Sequence, residues 1–189
     1  SIICIPVIFF IPYPTGITWL FLIASVLLHN LYFIILGISY NKGDLSFIYP
    51  IARGCSPVFI TILSLLFLND QVSFAGWIGI IIASFGLMFL TFNDIKNRIN
   101  LDVLKLALLV SLAICLYTLC DAAGVRSSSN NFSYIAWLFV LDGWLIFSYA
   151  YCKNKNIFLH INLRGFSLIV LASIMSFSGY GIIIWSMNF

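Results

Sequence analysis

The chain has 189 residues, 62% of them hydrophobic and only 8% charged, with a formal net charge of +3. A soluble domain carries about 25% charged residues, so this composition excludes a water-facing globule and points to a membrane protein; the mean hydropathy of +1.11 agrees. The positive charge is small and scattered, which gives no basis for a nucleic-acid partner.

In chain order, the run from Ser1 to Ile11 is apolar but shorter than the roughly 20 residues that a bilayer requires. It also lacks the basic start of a signal peptide. It is expected to be a span whose beginning is cut, ending at Pro12-Tyr13-Pro14-Thr15-Gly16. Further spans are expected at Ile17–Tyr40, Leu45–Leu68, Val72–Phe92, Leu101–Gly124, Phe132–Tyr151 and Arg164–Asn188. A helix of about 24 residues is about 36 Å long, enough to cross with some tilt. The connections Asn41-Lys42-Gly43-Asp44 and Asn69-Asp70-Gln71 are short, as in a helical bundle, and Asp44 suits the N-cap of the helix that follows it. The polar stretch from Asn93 to Asn100 reads as a hinge between two halves. The apolar runs are continuous rather than alternating, which rules out a β-barrel. The expected fold is all-α, a polytopic transmembrane helix bundle.

Loop charges suggest an orientation. Lys42, Lys96, Arg98, Lys105, Lys153, Lys155 and Arg164 lie in or beside alternate connections, with His160 on the same side, while the opposite side has Arg126 and Asp70. The positive-inside rule places the first group in the cytoplasm. An internal repeat is also visible. Leu20–Tyr40 laid on Leu168–Asn188 matches Leu20 with Leu168, Ala24 with Ala172, Ser25 with Ser173, Tyr32 with Tyr180, Ile34 with Ile182 and Ile35 with Ile183. An odd number of spans separates the copies, so they run in opposite directions. Inverted repeats recur in transporters, with the substrate site at mid-membrane; a duplicated structural bundle is the alternative. The halves expected are 1–95 and 101–189, each incomplete at its outer end.

The charge inside the run Tyr49-Pro50-Ile51-Ala52-Arg53-Gly54 carries the functional reading. An arginine near the middle of a membrane helix costs roughly 3 kcal/mol on insertion scales, so it persists where it meets a partner or a watery cavity. Pro50 and Pro57 remove backbone hydrogen bonds and are expected to act as hinges. Arg53 either contacts substrate or braces the bundle through Asp121 or Asp142. Asp121 is either part of the site or a helix-end residue meeting Arg126. His29 either bonds a neighbouring helix or relays protons, and Tyr32, Tyr49, Tyr117 and Tyr180 either line a cavity or pack. Gly76, Gly79, Ala83 and Gly86 form a small-residue face suited to close packing, and Trp19, Trp77 and Trp137 suit the membrane interface.

Enzyme chemistry finds little support. Cys4, Cys55, Cys115, Cys120 and Cys152 form no CxxC pair, and two histidines do not complete a metal site. There is no P-loop for ATP-driven transport. No catalytic residue, metal or cofactor is expected.

An ordered set of motifs runs along the whole chain. The first part has Ser25-x3-His29-x2-Tyr32, Gly43-Asp44-Leu45-Ser46, Tyr49-Pro50-x2-Arg53-Gly54-x2-Pro57, then Gly76-Trp77-Ile78-Gly79 and Gly86. The second has Ala113-x3-Tyr117-Thr118-x2-Asp121-x2-Gly124-Val125-Arg126, Ser133-Tyr134-x2-Trp137, and Tyr180-Gly181 with Trp185. With these the chain resembles the drug/metabolite transporter superfamily, EamA type, and departs from it at Asn69-Asp70, where a Gly-Glu pair is usual. The resemblance implies a ten-helix carrier of two inverted five-helix repeats, of which this chain would hold the second to eighth spans. It also implies cytoplasmic termini, opposite to the loop-charge orientation, which is the one retained.

The function expected is therefore secondary transport of small metabolites or drugs by alternating access. The expected substrate-binding residues are Arg53, Tyr49, Tyr32, Tyr117, Asp121, His29 and Tyr180, with Arg53 attracting an anionic group and Asp121 as charge partner or coupling group. The partners are a small-molecule substrate and the lipid bilayer, with a homodimer allowed for. The location is a cell membrane crossed several times, as in a bacterial inner membrane. The alternatives are a membrane structural or interaction protein that transports nothing, and a membrane-embedded enzyme.

Overall fold

A computed structural model describes residues 6–91, 100–153 and 163–187. After a 3-10 turn at Val7–Phe9 come six α-helices: α1 (Ile17–Lys42), α2 (Leu45–Phe67), α3 (Phe74–Phe89), α4 (Leu101–Ser127), α5 (Asn131–Lys153) and α6 (Leu163–Ser186). No strand occurs among the described residues. Five of the helices, all but α3, are long and apolar enough to cross a membrane. The chain is a polytopic α-helical membrane protein. Lys96, Arg98, Lys155 and His160 lie outside the described residues, as does the expected hinge except for Asn100.

Short polar residues set the helix starts. The Asn100 side chain accepts from the Asp102 N–H at 3.0 Å, opening α4. Asn130 caps α5, its Oδ1 accepting from Phe132 N–H at 2.9 Å and Ser133 N–H at 3.2 Å. Ser73 opens α3 by accepting from Gly76 N–H at 3.1 Å. That cap explains why α3 begins at Phe74 rather than Val72 as the apolar run suggested. With 16 residues, α3 is about 24 Å long, less than the roughly 30 Å hydrocarbon core. Asp44 holds the expected N-cap position of α2, but through its backbone: its carbonyl accepts from Phe47 and Ile48 N–H, and its side chain makes no capping bond. Pro50 and Pro57 both lie inside α2. Pro57 has no N–H to offer the Arg53 carbonyl one turn earlier.

The chain forms two compact units, Ser1–Val26 with Cys120–Phe189, and Leu27–Leu119. α1 and α4 each contribute to both. The halves expected from the internal repeat describe duplication rather than packing, which is a separate matter from these units.

In the first unit, Leu22, Val26, Val125, Tyr134, Ile135, Leu138 and Ile184 form a buried cluster drawn from α1, α4, α5 and α6. Trp19 packs edge-on against Trp137 at 5.2 Å, and Tyr13 lies 5.6 Å from the same indole. Thr18 Oγ1 donates to the Ser127 carbonyl at 3.1 Å, tying the start of α1 to the end of α4. In the second unit, Ile48 and Ile51 of α2 pack with Val103 and Ala107 of α4. α2 meets α3 at Gly54, where an added Cβ would lie 3.0 Å from Met88 Cγ and 3.2 Å from the Ser84 carbonyl. The small-residue face of α3 is not what makes this approach: a Cβ at Gly79 or Gly86 would meet nothing within 4 Å. α3 turns its Ser84–Leu87–Met88 side to α2 instead, because α2 supplies the glycine.

Candidate functional site

In the first unit, four helices converge on one carboxylate. Asp121, on α4, is fully buried. Its Oδ1 accepts from Ser25 Oγ of α1 at 2.5 Å and from the Tyr134 hydroxyl of α5 at 2.9 Å. Its Oδ2 accepts from the Tyr180 hydroxyl of α6 at 2.5 Å. An ion taken from water into an apolar interior is costly unless it is well bonded. Hydrogen bonds to a charged group recover about 1.5–3 kcal/mol each, so three of them make the burial tolerable.

The local packing serves this ring. Gly124 lies three residues after Asp121, on the same side of α4. A Cβ there would fall 2.4 Å from Tyr134 Cε2 and 2.6 Å from its hydroxyl oxygen. Only glycine leaves room for the phenol to lie against the α4 backbone and reach Asp121. On the other side, Tyr180 packs edge-on against Phe139 at 6.1 Å. Arg126, at the end of α4, donates from Nε to the Met187 carbonyl at 2.9 Å, just past the end of α6.

The second unit holds the remaining expected residues in two groups. His29 of α1 stacks on Tyr117 of α4 with ring centroids 3.9 Å apart, and Tyr32 meets the same tyrosine edge-on at 5.7 Å. Tyr117 is buried, and His29 and Tyr32 are half-buried. On α2, Arg53 is exposed, and its guanidinium carbon lies 5.9 Å from the centre of the Tyr49 ring, one turn earlier. This is a cation–π distance within a single helix.

The expected residues are thus brought together as Asp121 with Tyr180, as His29 with Tyr32 and Tyr117, and as Arg53 with Tyr49. Ser25, Tyr134 and Gly124 were present in the sequence motifs without a role; the structure makes two of them donors to Asp121 and the third the space that one donor needs. Polar residues at membrane depth were the available signal. Their pairing across helices was not. An apolar groove of about 330 Å³ between α5 and α6, lined by Phe132, Ile135, Phe177 and Trp185 among others, contains none of the expected site residues. Among the described residues no group of histidine, cysteine and acidic side chains is placed to hold a metal ion.

Compared with models of protein families, with curated proteins and with solved structures, the chain finds no match in any of the three.

Proposed function

We propose that this protein is a secondary carrier for small metabolites or drugs, working by alternating access, with Asp121 as its coupling group. One observation carries the reading. A fully buried carboxylate is held inside membrane-spanning helices by hydroxyls from three other helices. An ionisable residue buried within a membrane-spanning helix is expensive, and its usual justification is an ion or substrate pathway. The motif resemblance to EamA-type carriers supports the same conclusion and adds an inner-membrane location in a bacterium. Arg53 with Tyr49 would receive an anionic group on the solute, and His29, Tyr32 and Tyr117 would supply an aromatic wall. Pro50 and Pro57 give α2 the freedom to bend during the cycle.

The test is solute flux into proteoliposomes that hold the complete protein, screened over anionic and amphipathic metabolites. Flux that is saturable and lost in Asp121→Asn supports the carrier. A well-folded protein that moves no solute, and whose Asp121→Asn variant differs only in stability, favours the structural reading of the same buried ring.

A further inference from the structure

A carboxylate buried only for architecture is adequately held by donors of fixed sense, such as backbone N–H groups or arginine. Three hydroxyls bond the Asp121 carboxylate. A hydroxyl can donate or accept, according to how its hydrogen rotates. When Asp121 is ionised, all three donate. When it is neutral, its own O–H donates and one hydroxyl turns to accept, with every heavy atom left in place. The ring therefore satisfies both protonation states, and a ring of N–H donors would satisfy only one.

The three residues that supply the hydroxyls also differ in burial. Ser25 and Tyr134 are fully buried and both address Oδ1, whereas Tyr180 is half-buried and addresses Oδ2. Cys120 is the neighbour of Asp121 on α4, and Arg126, nearer the end of that helix, donates to the Met187 carbonyl.

We propose that Asp121 is a reversible proton-binding site, loaded at Oδ2 through the Tyr180 hydroxyl, and that the proton is the ion coupled to solute movement. The coupling clause rests on the carrier reading above; the proton site does not. In the loading step the Tyr180 hydrogen passes to Oδ2 while the phenol oxygen takes up a proton from hydronium, which leaves as water. One O–H bond forms on Asp121, one on Tyr180 is broken and replaced, and the site gains a single positive charge. Neutralising the carboxylate removes the charge that makes the four-helix ring costly to open in lipid, which is how proton binding would bias the conformational cycle.

The experiment is infrared difference spectroscopy on the complete protein in liposomes, with carbon-13 in its aspartates. The six acidic side chains of this sequence are aspartates, so Asp121→Glu places an unlabelled carboxyl at this position, set apart from the labelled aspartates, and serves as a folded control. Acidification is expected to raise a carboxylic C=O band that is absent in Asp121→Asn and unlabelled in Asp121→Glu. After a pH jump the band should rise at least about tenfold more slowly in Tyr180→Phe, as expected on losing a proton relay, and at close to the unmodified rate in Tyr134→Phe. No such band while the fold is intact overturns the proton site. Equal rates in the two tyrosine variants overturn the route through Tyr180. Because the readout needs no solute, a band without flux removes the carrier reading alone, and flux without a band removes the proton alone.

Discussion

Asp121 on α4 and Arg53 on α2 both interrupt long apolar helices, and their surroundings are opposite. Asp121 is fully buried and receives hydroxyls from three other helices. Arg53 is exposed, and the ring it faces belongs to its own helix. The difference follows from the side chains. An ionised carboxylate is short and only accepts hydrogen bonds, so when buried it needs donors brought to it. A guanidinium has a long stem and can carry its charge outward from a half-buried backbone. Near each charge a glycine permits a close approach, but to a different end. Gly124 lets a tyrosine reach the carboxylate, while Gly54 lets α3 approach α2 and leaves Arg53 on the outside of that contact.

Substitutions that remove each charge should separate the two surroundings. Asp121→Leu is expected to have the largest effect, because it strips the acceptor from three hydroxyls, two of them fully buried. At about 1–3 kcal/mol for each buried donor left unmade, the loss should be about 3 kcal/mol or more, read as a shift in unfolding in mixed micelles. A stability change below 1 kcal/mol would mean that the ring is not a strong element of the first unit.

Gly124→Ala should come next, at about 1–3 kcal/mol, because the new methyl overlaps the Tyr134 ring and must push it off Asp121. The companion change Tyr134→Val should recover part of the packing loss, since the two sites are coupled. It should not recover any activity that needs the hydroxyl. Additive losses in the double variant would show that Gly124 and Tyr134 do not act on one another.

Arg53→Ala should be the mildest for the fold, costing under about 1 kcal/mol, the size of an exposed cation–π contact. In the carrier reading the same change should sharply reduce uptake of an anionic solute, and Arg53→Lys should restore little, since lysine lacks the planar fork. A large loss of stability in Arg53→Ala would instead identify a bracing role and narrow the contrast with Asp121.

The helices were largely legible because long apolar runs leave few alternatives. α2, expected to begin at Leu45, does so, and α1 and α4 end within a few residues of their expected ends at Tyr40 and Gly124. The late start of α3 came from Ser73, a cap whose pull on the chain hydropathy does not register. The site was only half legible. Asp121 and Tyr180 stood out as polar groups in apolar helices, but α1 and α4 are apolar almost all round, so periodicity could not say which face turns inward. Ser25 and Asp121 are 96 residues apart in sequence, and nothing local links them. The insertion cost of Arg53 marked it as unusual for a membrane helix; it could not say that the side chain would be exposed beside Tyr49.

Flux and stability measured together on Asp121→Asn test the central claim most directly. The amide matches the carboxyl in shape and still accepts hydrogen bonds through one oxygen, but it cannot carry a charge or a proton. If Asp121 is the coupling group, the variant should remain folded, with stability within about 1–2 kcal/mol of the unmodified protein, and solute accumulation against a gradient should be lost. Accumulation at the unmodified rate by a folded Asp121→Asn protein would contradict the account, since the buried carboxylate would then be a joint between helices and nothing more.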